Sequence, residues 1–197
     1  MIAYNKQNYK KVALLGSFGK HYDLIVETAN KFIENGFEVL VPKLDGIRNT
    51  EQNFIYLNGD EDKSPRELEK EYIYNCLDAD LVYVCDKDGY IGTTVAFELG
   101  LLSAFSQTIF FMEKPQDRLI LDMIDSPETS IHISKPERLI PFLKDMNSFI
   151  NAVDFFDDYD EPSERSSAFY LSEIPLIHVS RNKINEELRK RMRTKTE

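Results

Sequence analysis

The chain has 197 residues, 42% of them hydrophobic, 12% aromatic and 29% charged, which is a globular composition and excludes a disordered one. That length suits one domain with an appendage, or two small ones. A formal net charge of -10 excludes a general nucleic-acid-binding surface, because phosphate backbones select basic faces, but leaves room for a local pocket that takes a small anion.

In chain order, "KKVALLGSFG" (10–19) is a short apolar run ending in glycines, the pattern of a buried strand entering a loop. "HYDLIVETANKFIENG" (21–36) carries Leu24, Ile25, Thr28, Phe32 and Ile33 at helical spacing and stops at Gly36. "FEVLVPKL" (37–44) is a second strand, closed by Pro42. Residues 45–63, rich in Asp, Asn and Gly, read as a long loop, and loops of that length are usually functional or mobile. "SPRELEKEYIYNCLDA" (64–79) opens with Ser at the N-cap, Pro at the first helical position and Glu two further on, a capping box that predicts a helix.

"DLVYVC" (80–85) is the third strand. The loop "DKDGYIG" leads into a helix over 93–105 that is apolar on nearly all sides, so it is expected to be covered on all sides. "QTIFFM" (107–112) is the fourth strand, followed by a short helix near 116–125 and a strand at "TSIHIS" (129–134). "KPERLIPFLKDMNSFINAV" (135–153) closes the series as a helix, with Pro141 an awkward interior residue. Alternating strands and helices predict an α/β fold: a three-layer, flavodoxin- or Rossmann-like arrangement, with a mainly parallel sheet of about five strands and helices on both faces. The domain is placed at 1–153. Beyond it, 154–197 changes character, with acids packed around aromatics and then a polar helix with a basic end, and reads as an arm, an oligomer contact, a flexible extension or a lid.

Cys76 and Cys85 stand nine positions apart, with no metal-ligand or redox spacing, and read as buried free thiols. His21, His132 and His178 are scattered and suggest neither a zinc site nor a Ser–His pair, so no metal or cofactor is expected. The opening "MIAYNKQNYKK" has no apolar core of a secretion signal. The run 89–112 is long enough to suggest a membrane span, but Glu98 near its middle and the polar break at "SQT" speak against one. The expectation is a soluble cytoplasmic protein.

In open parallel sheets ligands sit beyond the carboxyl ends of the strands, where the chain order reverses. Three loops meet there: "GSFGKHYD", "LDGIRN" and "DKDGYIGTT". In the first, Gly16 and Gly19 let the backbone approach a ligand beside Ser17 and Phe18, though the pattern is neither G-x-G-x-x-G nor a P-loop. In the third, Gly89 and Gly92 shape a turn and Thr93 and Thr94 set hydroxyls and N–H groups at a helix start, where a phosphate or sugar hydroxyl fits and where either threonine also fits as an N-cap. Tyr90 offers a hydroxyl or a stacking ring, or packs at the rim. Asp86 and Asp88 orient a base or sugar, join Asp45 at a metal, or are ordinary loop acids. Glu98 is the one charged residue between Gly89 and Met112. It is either a buried acid paired with an arginine or capping backbone donors, or a desolvated carboxylate poised as nucleophile or acid–base.

A first strand ending in "LLGSF", then "LDADLVYVCDKDG", "GTTVAFELG" and "TIFF" resemble the nucleoside 2-deoxyribosyltransferase-like family, over roughly residues 10–115. That family includes deoxynucleoside 5'-monophosphate N-glycosidases and nucleotide-sensing relatives. The resemblance implies that Glu98 attacks the anomeric carbon of a sugar, that Gly16–Phe18 border the nucleoside, and that Asp86–Thr94 hold the sugar and any phosphate. It also implies sites completed across subunits, hence a homo-oligomer. Glu98 lies six positions after Gly92 where the family's transferases have four, and no aspartate stands beside the Gly-Thr, which leaves Asp86 or Asp88 to assist the leaving base. The function implied is cleavage or exchange of the N-glycosidic bond of a nucleoside or its 5'-monophosphate; the alternative is a sensor that binds such a ligand without chemistry.

Overall fold

Short runs of Val, Ile, Leu and Phe, each too brief for a helix and closed by Gly, Pro or Asp, become the strands of one sheet. The computed structural model of the protein describes residues 9–48, 54–60, 62–105, 107–124 and 131–157. The elements run β1 (Lys11–Gly16), α1 (Phe18–Glu34), β2 (Glu38–Val41), α2 (Pro65–Asp78), β3 (Leu81–Cys85), α3 (Thr93–Ala104), β4 (Ile109–Phe111), α4 (Arg118–Ile124), β5 (Ile131–Ile133) and α5 (Pro136–Asp157). The five strands form one parallel sheet in the order β2-β1-β3-β4-β5, the expected three-layer α/β architecture.

Two compact units divide the chain: Tyr9–Pro141 holds the sheet, and the described part of the second unit is the stretch of α5 from Phe142 onward. The expectations for the N-terminal eight residues, for 49–53 of the long loop, for His178 and for the tail beyond Asp157 lie outside the described residues.

The strand order locates the site. The chain leaves β1 toward β2 on one side, then crosses back over β1 to β3 and continues outward to β4 and β5. Right-handed crossovers then place α1 on one face and α2 and α3 together on the other, and α2 and α3 do touch. The reversal falls between β1 and β3, so a crevice opens beyond Gly16 and Cys85. These two central strands are the driest part of the molecule, with Val12 to Leu15 and Leu81 to Cys85 fully enclosed. Burial of such side chains stabilises by roughly 1.5–3 kcal/mol each.

Local signals account for the helix positions. The Ser64 hydroxyl accepts from the Glu67 N–H, and the Glu67 carboxylate accepts from the Ser64 N–H at 2.9 Å, so the capping box is complete. On the opposite face, α1 sends Phe32 against Tyr83 and joins α5 through Lys31 and Glu137 at 2.9 Å. Cys76 and Cys85 are free and buried.

One expectation is corrected. The helix α3 is not covered all round: Phe97 is 59% exposed, and Ala96, Gly100 and Ala104 share its open side. Its buried residues are Val95, Glu98, Leu99 and Leu102, and α2 is among the elements packed on it. Among the described residues no helix is long and apolar enough to cross a membrane.

Candidate functional site

Beyond the carboxyl ends of β1, β2 and β3 lies a cavity of about 520 Å³, within the size range of small-molecule sites. Gly16, Ser17 and Phe18 line it from β1, Val41 to Lys43 from β2, and Tyr90 and Gly92 to Val95 from the segment after β3. The long loop contributes Phe54, Ile55, Leu57 and Asp60. It is folded back on itself, with Ile47 bridging Leu57 and the Asn58 side chain donating to the Asp45 carbonyl. The Tyr22 hydroxyl, accepting from the Gly46 N–H at 3.1 Å, ties this wall to α1.

Two helices begin at the cavity. Gly92, rather than Thr93 or Thr94, is the N-cap of α3, and having no side chain it caps nothing. The first intrahelical bond there runs from the Ala96 N–H to the Gly92 carbonyl, so the N–H groups of Thr93, Thr94 and Val95 point forward without helical partners. Ser17 is the N-cap of α1, and its hydroxyl makes no capping bond either. Both termini favour negative charge. Lys43 is the one cationic side chain lining the cavity among the described residues, and it is held by Asp60 at 2.9 Å.

Glu98 sits more than a turn into α3 and is 5% exposed, with its carboxyl on the cavity wall. Its neighbour there is Glu69 of α2, whose carboxyl acts on its own. No guanidinium or ammonium pairs with either acid among the described residues. Burial first, then the charge and hydrogen bond of Glu69, push the Glu98 carboxyl up to about 9. Burial also raises Glu69, which the hydrogen bond from Glu98 partly offsets. Two carboxyls side by side at a largely enclosed wall resist ionising together, so each favours the protonated form of the other. One oxygen of Glu69 is buried with no donor.

Of the residues expected at the site, Gly16, Ser17, Phe18, Tyr90, Gly92, Thr93, Thr94 and Glu98 are gathered on this wall. Tyr90 lies edge-on to His21 with Lys20 3.5 Å above its ring. Asp86, Asp88 and Gly89 are elsewhere. Asp86 is fully buried and accepts from the Glu113 N–H at 2.9 Å; burial pushes it up to about 7, against the pull of backbone donors. Asp88 takes a left-handed conformation (φ 58°), donating its N–H to Glu113 and accepting from the Gln116 side chain. Gly89 (φ 67°) lies against the Lys114 carbonyl, leaving no space for a side chain. Together the three staple the β3 turn to the turn after β4. Asp45 does not line the cavity, and no described group of His, Cys, Asp or Glu is placed to hold a metal ion.

Sequence reasoning missed Glu69, Tyr72 and the Lys43–Asp60 pair. A signal existed for the first two: Glu69, Tyr72 and Cys76 lie at helical spacing on one side of α2, an acid in line with its packing face. The Tyr72 hydroxyl donates to the Leu14 carbonyl of β1, fixing α2, and with it Glu69, against the central strand. No family model matches the chain, and no curated protein is similar enough to it to count as a relative.

Proposed function

We propose that the protein cleaves or exchanges the N-glycosidic bond of a nucleoside or nucleoside 5'-monophosphate, with Glu98 as nucleophile. The observation that carries this reading is the placement of Glu98: a dry carboxyl, paired with no cation among the described residues, on the wall of a cavity at the point where the strand order reverses. A carboxylate there meets positive charge building on the anomeric carbon of a sugar and can form a glycosyl ester with it. The forward N–H groups of Thr93, Thr94 and Val95 and the free Ser17 hydroxyl suit a 5'-phosphate or sugar oxygens, while Phe18, Phe54 and Tyr90 offer apolar surface to a base. The resemblance of "GTTVAFELG" to the deoxyribosyltransferase-like family agrees with this reading.

Incubation with a panel of nucleosides and their 5'-monophosphates, following free base by chromatography, tests it. Base release is expected from the wild type and not from Glu98→Ala; release undiminished in that variant removes Glu98 from the role.

A sensor is the second reading, favoured by the absence of Asp86 and Asp88 from the cavity wall, since these were the acids left to assist a leaving base. Calorimetry separates the two: tight nucleotide binding with no base release selects the sensor.

A second copy of the chain is the partner we propose for the open side of α3. Like-charged copies with a net -10 repel one another, so they meet where acids are absent. Ala96, Phe97, Gly100 and Ala104 form such a surface, with Leu119 of α4, 71% exposed, a further apolar residue in the same unit.

A further inference from the structure

We propose that Glu69 is the acid–base residue that works with Glu98, taking the part for which no aspartate stands beside Thr93. This rests on the N-glycosidic reading above and adds a residue to it.

The geometry has three parts. Glu69 and Glu98 line the same cavity from different helices, α2 and α3, so both can reach one bound sugar. Each carboxyl acts on the other, Glu69 raising Glu98, so the two stand close enough to pass a proton. One Glu69 oxygen is enclosed and has no hydrogen-bond partner among the described residues, which leaves it free to take a proton from Glu98.

The groups facing Glu98 leave the pair alone in charge of that proton. From α2 they are Glu69 and Cys76, with Tyr72 beside them and Cys85 of β3 behind Tyr72. Burial drives Tyr72 and Cys76 well above their usual range and Cys85 up to about 12, so all three stay neutral near pH 7. Among the described residues no cation pairs with Glu98 to displace the proton.

The chemistry balances with water as the only co-reactant. In the free protein the proton rests on Glu98, donated to the Glu69 carboxylate. As positive charge grows at C1', negative charge is drawn to Glu98 and the proton is left on Glu69. The C1'–N bond then breaks with its electron pair going to the base, the Glu69 proton moves to the base, and a Glu98 oxygen bonds to C1'. In the second half Glu69, now a carboxylate, takes a proton from water as the water oxygen attacks C1'. Glu98 leaves as a carboxylate, and the pair again holds one proton and one charge. For exchange, an incoming base replaces the water. A single pair shuttling one proton explains why no second acid is needed at Asp86 or Asp88.

The test compares two substrates at one pH: guanosine 5'-monophosphate or its deoxy form, whose base needs a proton to leave, and the 7-methylguanine counterpart, whose base already carries the positive charge. In Glu69→Gln, release from the ordinary nucleotide is expected to fall at least about a hundredfold, while release from the methylated one stays within a few-fold of wild type. Glu69→Asp, which keeps an acid of shorter reach, restores the ratio between the substrates toward the wild-type value. It carries the comparison if the glutamine variant does not fold. Equal loss on both substrates, or loss on neither, overturns the assignment to Glu69 and leaves Glu98 standing. No release by the wild type from either substrate overturns the glycosidic reading itself. Infrared difference spectra separate these cases: a protonated carboxyl band at pH 7 that is lost in Glu98→Gln and shifts in frequency in Glu69→Gln shows the shared proton whatever the activity, and a band that Glu69→Gln leaves unmoved, or that the wild type lacks, refutes the pair.

Discussion

The carboxyl of Glu98 on α3 acts on that of Glu69 on α2, and no cation among the described residues pairs with either. Such a pair costs stability. Glu98 ionises near its ordinary value of 4.5 in the unfolded chain but is held up to about 9 in the folded one. Between those values the unfolded state has lost a proton that the folded state keeps, so stability falls as pH rises through the window and is flat above it. Glu98→Gln keeps a donor toward Glu69 and has nothing to ionise. It should match wild type in urea unfolding near pH 4 and exceed it increasingly up to about pH 9, by about 2–4 kcal/mol near pH 8. A difference that does not grow with pH would show that Glu98 is not held protonated.

The Tyr72 hydroxyl donates to the Leu14 carbonyl at a point where β1 has already passed its last pairing with β2, Ala13 opposite Val41. The tyrosine thus stands in for the missing strand. Tyr72→Phe leaves the ring against Phe18 but strips the carbonyl of this donor, at a cost of about 1–2 kcal/mol in chemical denaturation. Because the same bond fixes the helix that carries Glu69, nucleotide affinity in the variant should fall as well. Ser64→Ala, which removes the cap of α2 at its exposed end, should cost about 1 kcal/mol in stability alone.

The sheet was legible because its strands announce themselves twice, by apolar runs and by the Gly, Pro and Asp that end them. The capping box at Ser64 and Glu67 was legible because both partners are local. Glu98 stood out as a lone charge in an apolar helix, and the arginine that one reading gave it is not found among the described residues. What could not be read were relations between distant segments. The alignment of Glu69 with Tyr72 and Cys76 marks one side of α2, but only the packing of α2 on α3 brings that side to Glu98. Nothing in "DKDG" shows that Asp86 turns to the Glu113 N–H, because that partner arrives with β4. The open side of α3 escaped for the opposite reason. Composition predicts a buried helix and does not say whether the cover comes from the same chain.

Gly89 combines a positive φ with a position directly against the Lys114 carbonyl, a backbone atom that cannot step aside. Its N–H also donates to the Asp86 carbonyl at 2.7 Å, and its own carbonyl accepts from the Gln116 N–H at 3.0 Å. Gly89→Ala must therefore break the staple between the two turns. A loss of about 3 kcal/mol or more in unfolding free energy is expected, larger than for any alanine change at Asp88. Gly19→Ala, where no atom approaches and φ is ordinary, is the matched control and should be close to neutral.

Phe97 projects from the open side of α3 with Ala96, Gly100 and Ala104 on the same side, all on the helix that carries Glu98 about a quarter of a turn away and inward. If two copies meet there, pairing buries the ring and braces the helix that positions the nucleophile. Phe97→Lys places a cation in the centre of the contact, whereas Phe97→Leu keeps it apolar. Light scattering should then show a dimer or larger assembly for wild type and Phe97→Leu, and a smaller species for Phe97→Lys at the same concentration. Because Phe97 lies outside the cavity, nucleotide binding by the lysine variant at saturating ligand should persist unless the partner copy completes the site. A monomeric wild type at tens of micromolar would leave this face without its proposed partner, while the cavity and its two acids would stand unchanged.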